Sequence, residues 1–555
     1  MGVLTAFRPT GGEIRMSIDR NSRAKSLHRW VFVAALVSLI TALASAAAAG
    51  AAQPIHPLAW VHADRLAPEE AVPLLTVPPV DRAAAALEDI ARGEAGLPPR
   101  FAIPTSVTVT PETSGSWDAA PDGSLVWRLR VRSPAASSLN LGFTQYVMPP
   151  GGALYVYSPD RGQWLRPFTD ADNTSHGELW TPVLLADALV VEVDLPAGTR
   201  DALQLHLGQV NAGYRYFGAK TTSAPESGSC NVDVVCPDGD PWRNEIPAIA
   251  RISISGIYLC TGFMVNNTAR DQRPLFQTAN HCGLNSGNSG TLVAYWNYQT
   301  SVCGGTPDGS LADNQSGSTW RAAYSPSDFT LVELSRSPDP AWKISFAGWD
   351  NTGADAANAT CIHHPNADEK RISFEYQATS TTSYLGNTSP GDGTHVRVFD
   401  WDKGTTEGGS SGSPLFDQNH HVIGQLHGGY AACGNDLSDW FGKFAVSWNG
   451  GGTSSSRLRD WLDPGNTGAT SLDTLNPYGT SCQTNADCDD GLFCNGVRLG
   501  LSEWHERSVR QSRLRDRSWR GLPLLPLRLQ RRAGWQAGRP VLLRGRGGRE
   551  PDRLR

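Results

Sequence analysis

Charged side chains are scarce in this chain: Asp, Glu, Lys and Arg make up 18% of 555 residues, and the net charge is −6. Long apolar runs are scarcer still. One stands near the start, from Trp30 to about Ala44, and it is too short and too alanine-rich to favour a permanent membrane span. Arg20, Arg23, Lys25 and Arg29 precede it and small residues from Ala44 to Ala52 follow it, which is the arrangement of a signal peptide, with Met16 a candidate initiator. A calcium loop is weakly supported, because Asp487, Asp489 and Asp490 do not fit the EF-hand ligand spacing. Lysine and cysteine are missing from Arg498 onward, where sixteen arginines face five acidic residues, so the tail is about +11 and the preceding chain about −17. A nucleic-acid-binding arm is one reading of that tail, but an exported protein has little use for one. The arginine-only bias points instead to translation in a shifted frame. What is abundant is glycine (57), tryptophan (18) and cysteine (10), a composition that suits an exported all-β protein of more than one domain.

The most informative stretch is Gly409-Ser410-Ser411-Gly412-Ser413-Pro414. Its glycines let the backbone turn sharply and aim amides inward around a serine hydroxyl. That hydroxyl is a poor nucleophile on its own and needs a histidine base oriented by a carboxylate. Both stand upstream. His281 lies in Thr278-Ala279-Asn280-His281-Cys282, and Asp328 opens the strand-like Asp328-Phe329-Thr330-Leu331-Val332-Glu333-Leu334. The order His, Asp, Ser is that of chymotrypsin-like proteases, whereas subtilisin and α/β-hydrolases permute it. Each element has a bland alternative: a Gly/Ser surface turn, a structural histidine, a strand-edge carboxylate. The three in order argue for the catalytic one. His281 would take the Ser411 proton during attack on a scissile carbonyl and return it to the leaving amine, with Asp328 fixing the imidazole tautomer. The backbone amides of Gly409 and Ser411 are the oxyanion donors, worth about 3 kcal/mol each. No step requires a metal or an organic cofactor.

The segment from Ser229 to Leu475 resembles the secreted bacterial lysyl endopeptidases. The blocks that carry the resemblance include Ser229-Cys230-Asn231-Val232-Asp233-Val234-Val235-Cys236-Pro237, Cys260-Thr261-Gly262, Ser327-Asp328-Phe329-Thr330-Leu331, His363-His364-Pro365-Asn366, and Gly424-Gln425-Leu426-His427-Gly428-Gly429. The resemblance implies a double β-barrel that cuts peptides after lysine and acts as a monomer. It also implies the disulfides Cys230–Cys433, Cys236–Cys303 and Cys260–Cys282, with Cys361 left as a buried thiol. An aspartate six positions before the nucleophile, which is trypsin's solution for a cationic substrate, is missing, because Thr405 stands there. The resemblance places Asp439 in the specificity pocket instead, and Glu407, four residues before Ser411, is a second candidate. The tryptophan that the family stacks on the equivalent of His427 is missing too. Tyr384 is the candidate replacement, with a smaller ring. Gly428 would let a substrate strand approach beside Leu426 to Gly428.

The expected organisation runs from an N-terminal extension and signal peptide (1–52), through a β-sandwich (53–224), to a chymotrypsin-like protease domain (225–475). A truncated cysteine-rich repeat (476–497) and the arginine-rich tail (498–555) follow. The sandwich is read from alternating stretches such as Ser124-Leu125-Val126-Trp127-Arg128-Leu129-Arg130-Val131. Its function would be that of a propeptide partner, released at Lys220; a ligand-binding module is the runner-up. The chain as a whole reads as a secreted serine endopeptidase, with broader Lys/Arg specificity or a catalytically inactive surface-binding role as the competing readings.

Overall fold

The computed structural model describes residues 56–215 and 227–479. The signal peptide with Met16, Lys220, the cysteine-rich repeat from residue 480 onward and the arginine-rich tail lie outside the described residues. Strands dominate, and no helix among the described residues is long and apolar enough to cross a membrane.

The first part is a two-sheet β-sandwich. One sheet orders Leu74–Thr76, Leu125–Arg132, Ala188–Leu195, Ala153–Tyr157 and Phe168–Thr169, with Ser116–Ala119 beside Leu125–Arg132. The other orders Ala102–Val109, Gln204–Gly213, Ser138–Val147 and Leu179–Trp180. Alternation explains the core. Trp127, Leu129 and Val131 pair with Val193, Val191 and Leu189, and this face meets Leu139, Leu141 and Phe143 of the second sheet. The opposite face of the first sheet is not left to solvent, as alternation alone would suggest. Residues from Leu58 onward fold over it, so that Leu58 N–H donates to Asp194 Oδ2 (2.9 Å), Ala59 N–H to Glu192 Oε1 (2.8 Å) and the Tyr157 hydroxyl to Glu192 Oε2 (2.6 Å). Burial raises the pKa of both carboxyls, and the Glu192 charge raises that of Asp194 further.

The second part is built from two larger sheets, the chymotrypsin-like arrangement. The first is antiparallel throughout and orders Asn314–Ser316, Val293–Tyr295, Ile249–Ile254, Tyr258–Met264, Leu275–Ala279, Phe329–Leu334 and Ser318–Tyr324. The second contains Ala359–His363, Pro414–Phe416, Val422–Gly429, Asp439–Lys443 and His395–Val398 as successive neighbours. A continuous apolar core joins the two, with Phe276, Leu331 and Trp296 from the first and Ile362, Phe416 and Val422 from the second. His281 follows the end of Leu275–Ala279 and Asp328 immediately precedes Phe329–Leu334, whereas Ser411 precedes Pro414–Phe416. The three residues therefore come together only where the two sheets meet.

The sandwich is seated on the first of these sheets. Phe101 N–H donates to Ile257 O (2.9 Å), Leu259 N–H to Pro99 O (3.0 Å), and Val183 N–H to the Tyr295 hydroxyl (3.1 Å). Phe101, Trp180 and Val183 share a buried cluster with Leu259, Val293, Tyr295 and Ala367, and Arg336 forms an ion pair with Asp172.

The three expected disulfides are present, and Cys361 is a buried free thiol. Cys260–Cys282 spans 22 residues and anchors the turn that carries His281. Replacing both of its cysteines by alanine should lower unfolding stability by about 3 kcal/mol on the loop-closure account. Urea denaturation under non-reducing conditions would measure this, and an unchanged midpoint would contradict it.

Candidate active site

The turn from Glu407 to Ser411 is held from behind by its own short-range bonds and by both sheets. Ser410 N–H donates to Glu407 O (3.0 Å), and the Ser410 hydroxyl meets His363 Nδ1 at 2.8 Å. Thr261, on the first sheet, supplies two further bonds: its Oγ1 donates to Gly409 O (2.9 Å) and its N–H to Ser411 O (2.8 Å). Gly409 has φ 95°, and a Cβ there would come within 3.0 Å of Ala367 N and 3.2 Å of His364 O. Only glycine turns the chain at this point without strain.

At the front, the structure brings His281, Asp328 and Ser411 into one hydrogen-bonded chain. Asp328 Oδ2 lies 2.8 Å from His281 Nδ1, and His281 Nε2 lies 2.8 Å from Ser411 Oγ. The second Asp328 oxygen accepts the His281 backbone N–H at 2.8 Å, so the carboxylate fixes both the ring and the backbone of the same residue. Asp328 is 2% exposed, which keeps water from competing for it. The arrangement can pass a proton from the hydroxyl to the imidazole while the carboxylate steadies the cation that forms.

Beside this chain lies a stack of rings. Tyr384 covers His427 almost face to face, with centroids 3.7 Å apart and planes at 8°. The His427 ring is in turn parallel to His281 at 5.3 Å, and its Nδ1 is 3.8 Å from Asp328 Oδ2. His395 completes the array, its Nε2 2.9 Å from His427 Nδ1. Sequence reasoning missed His395. It sits in an ordinary strand, His395–Val398, and reaches His427 only through sheet pairing, so no local motif marks it.

Asp439 is fully enclosed at 1% exposure, and its Oδ2 accepts from Trp401 Nε1 (2.8 Å) and Thr406 Oγ1 (2.7 Å). Burial pushes its pKa up from the usual carboxylate range, and the two donors pull it back. Gly429 lies against it: a Cβ there would fall 2.2 Å from Asp439 Oδ1. Gly428 faces Tyr384, whose hydroxyl would be 3.2 Å from an added Cβ. Glu407 is placed differently from Asp439. Its carboxylate is occupied by Gly228 N–H, Asn231 and Asn366. His281, Asp328 and His427 each bring one potential metal-ligand atom within 4.8 Å of the others, as do Asp350, Asp417 and His421. In the first group the His281–Asp328 pair is already joined by hydrogen bonds.

The family model described as "Lysyl endopeptidase, C-terminal domain" matches residues 224–442, and that described as "Lysyl endopeptidase N-terminal domain" matches residues 82–211. A lysyl endopeptidase of Pseudomonas aeruginosa strain PAO1 is 31% identical over 391 residues, which is 63% of this chain and 81% of that protein. The chain belongs to the lysyl endopeptidase family. It is a serine endopeptidase, and its substrates are peptides. Among solved structures, a Glu endopeptidase in complex with MPD is 15% identical, covering 36% of this chain and 85% of its own at a TM-score of 0.25. A protease from M. tuberculosis in its active form is 16% identical, covering 42% and 89% at a TM-score of 0.26.

Three buried histidines support the site in the neutral state. Burial lowers the pKa of His363 to about 3 and holds that of His364 well below its usual value. Burial, with His427 adding to it, lowers His395 to about 4. An unfolded chain would protonate these rings near pH 6.5. Between about pH 6.5 and 4 the unfolded state therefore binds more protons, and these groups weaken the fold as pH falls through that window. Carboxyls with raised pKa values, such as the buried Asp439 and the half-buried Glu407, act in the opposite direction. Ring-carbon NMR of an inactive Ser411→Ala chain separates the two. His363, His364 and His395 should keep neutral-form shifts down to about pH 5. Titration of any of them near pH 6.5 would contradict the assignment.

Proposed function

We propose that the protein is a secreted endopeptidase that cleaves peptide bonds after lysine, with Ser411 as nucleophile, His281 as general base and acid, and Asp328 as the residue that orients it. The observation that carries this reading is the unbroken chain Asp328–His281–Ser411, with both links at 2.8 Å. Ser411 Oγ attacks the carbonyl, His281 Nε2 takes its proton, and the tetrahedral oxyanion is met by the N–H groups of Gly409 and Ser411. The imidazolium then protonates the leaving amine. An ester remains on Ser411, and water, deprotonated by the same imidazole, hydrolyses it. The peptide adds as a strand beside Leu426 to Gly428.

Lysine selection belongs in this reading to Asp439. An ammonium taken out of water is costly unless a carboxylate compensates it, and a buried carboxylate whose pKa is raised by burial gains most from a cation arriving beside it. Glu407 is the weaker candidate because its oxygens already accept from three groups. The Tyr384–His427 stack would steady the imidazole of His281 through the shared carboxylate of Asp328. In this scheme the sandwich is a propeptide that supports the first protease sheet, and cleavage after Lys220 releases it following export.

Ser411→Ala should abolish peptide hydrolysis and fluorophosphonate labelling, and the chain should persist as the long precursor by intact mass. Labelling that moves to Ser410 or Ser413 would sink the nucleophile assignment. Asp439→Asn should lower kcat/KM for lysine peptides by about a hundredfold or more while matched leucine peptides change little. A variant that keeps its lysine preference would overturn the role of Asp439. An arginine rate in the wild type equal to that for lysine would favour the broader specificity.

A further inference from the structure

Glu407 has a role that pocket chemistry does not explain. Its carboxylate accepts from Gly228 N–H at 3.1 and 3.2 Å, from Asn231 Nδ2 at 3.2 Å and from Asn366 Nδ2 at 3.2 Å. Gly228 and Asn231 belong to the first described residues of the protease part, and Asn366 to the loop after strand Ala359–His363. The same segment is held a second time, because Asp368 Oδ2 accepts from Ser227 N–H (3.0 Å) and Ser227 Oγ (2.6 Å). It is held a third time by the disulfide Cys230–Cys433. The fit leaves no slack. A Cβ on Gly228 would fall 2.3 Å from Cys433 Sγ and 2.9 Å from Glu407 Oε1, so glycine alone allows the backbone to come this close.

Glu407 is also the first residue of the nucleophile turn. Its carbonyl accepts from Ser410 N–H (3.0 Å) and its N–H donates to Ser410 Oγ (3.3 Å), while Gly408 O accepts from Asn366 N–H (2.6 Å). The segment 227–231 and the loop around Asn366 therefore converge on the turn at Glu407 and Gly408. Moving Glu407 would rotate the peptide units that follow it, which include the Gly409 and Ser411 amides.

We propose that Glu407 is a positioning residue that couples the N-terminal segment of the protease part to the oxyanion-binding turn. Its carboxylate clasps Ser227–Asn231 against that turn and so fixes where the Gly409 N–H points. This deepens the proposed reaction and rests on the reading of Ser411 as nucleophile. A displaced donor weakens transition-state binding much more than ground-state binding, since the oxyanion exists only in the former.

The test uses the full chain as it is produced, carrying Glu407→Ala, Glu407→Gln or Asn231→Ala. Steady-state kinetics on a lysine peptide, affinity for a peptidyl-lysine aldehyde, affinity for the corresponding peptide acid, and thermal melting are compared with wild type. Glu407→Ala should lose about tenfold to a hundredfold in kcat with KM little changed. Aldehyde affinity should fall by a similar factor and peptide-acid affinity should hold. Glu407→Gln, which keeps one acceptor oxygen, should recover part of the loss, and Asn231→Ala should show a smaller loss of the same kind. Two results would overturn the proposal: kcat within about twofold of wild type in Glu407→Ala, or losses of kcat, aldehyde affinity and peptide-acid affinity that all follow a lowered melting temperature. If Ser411→Ala itself kept wild-type turnover, the underlying triad reading would be the one that had failed.

Discussion

Two hydrogen bonds from Thr261 set the register on which the rest of the site depends. His281 and Asp328 hang from one sheet and Ser411 from the other, so the 2.8 Å contact between His281 and Ser411 is only as good as the alignment of the sheets. Thr261 N–H to Ser411 O and Thr261 Oγ1 to Gly409 O tie the turn from Glu407 to Ser411 directly to the sheet that carries His281. A buried glutamine pair adds a second tie: Gln277 Nε2 donates to Gln425 Oε1 (3.0 Å), and Gln425 Nε2 donates to Ser327 O (2.7 Å), one residue before Asp328. Polar bonds in a dry interface are directional in a way that the surrounding apolar core is not, and they fix an angle where Leu and Phe contacts would fix only a distance.

The two ends of the chain's protease part meet the same requirement differently. In the proposed reaction the turn must leave the Gly409 and Ser411 N–H groups free for an oxyanion. The Ser410 hydroxyl, the Gly408, Gly409 and Ser411 carbonyls and the Glu407 carboxylate are engaged instead by His363, Asn366, Thr261 and the segment at Gly228. The neutral histidines fit this scheme, since an imidazole can donate at one nitrogen and accept at the other without bringing a charge into the core. The sandwich joins the scheme at one remove. Its cluster around Phe101 and Trp180 includes Ala367, which lies directly against Gly409. A domain far along the chain from Ser411 thus contributes to the packing behind the turn.

How much of this was legible in the sequence follows from range. The meeting of His281, Asp328 and Ser411 was legible because each sits in a short block with its own signature, and the order of the blocks narrowed the fold. The three cysteine pairings followed from a resemblance rather than from spacing, and the structure has the same pairs. The sandwich strands were legible from alternation. Alternation could not reveal that Leu58 and Ala59 would cover Glu192 and Asp194, because the covering segment is more than a hundred residues away. His395 and the Glu407–Gly228 clasp were hidden for the same reason. Their partners are brought together by sheet pairing and by a disulfide, and neither residue type is unusual where it stands.

In the proposed reaction one geometry serves both chemistry and choice: an oxyanion held by Gly409 and Ser411 while a lysine side chain runs to Asp439. A crystal structure of the enzyme with a peptidyl-lysine aldehyde tests both halves at once. The expected result is a hemiacetal on Ser411 Oγ, its oxygen within hydrogen-bond reach of the Gly409 and Ser411 N–H groups, and the lysine ammonium directed at the Asp439 carboxylate, with Glu407 still bound to Gly228. A lysine side chain turned to solvent or to Glu407, or an adduct oxygen pointing away from the Gly409 amide, would contradict it.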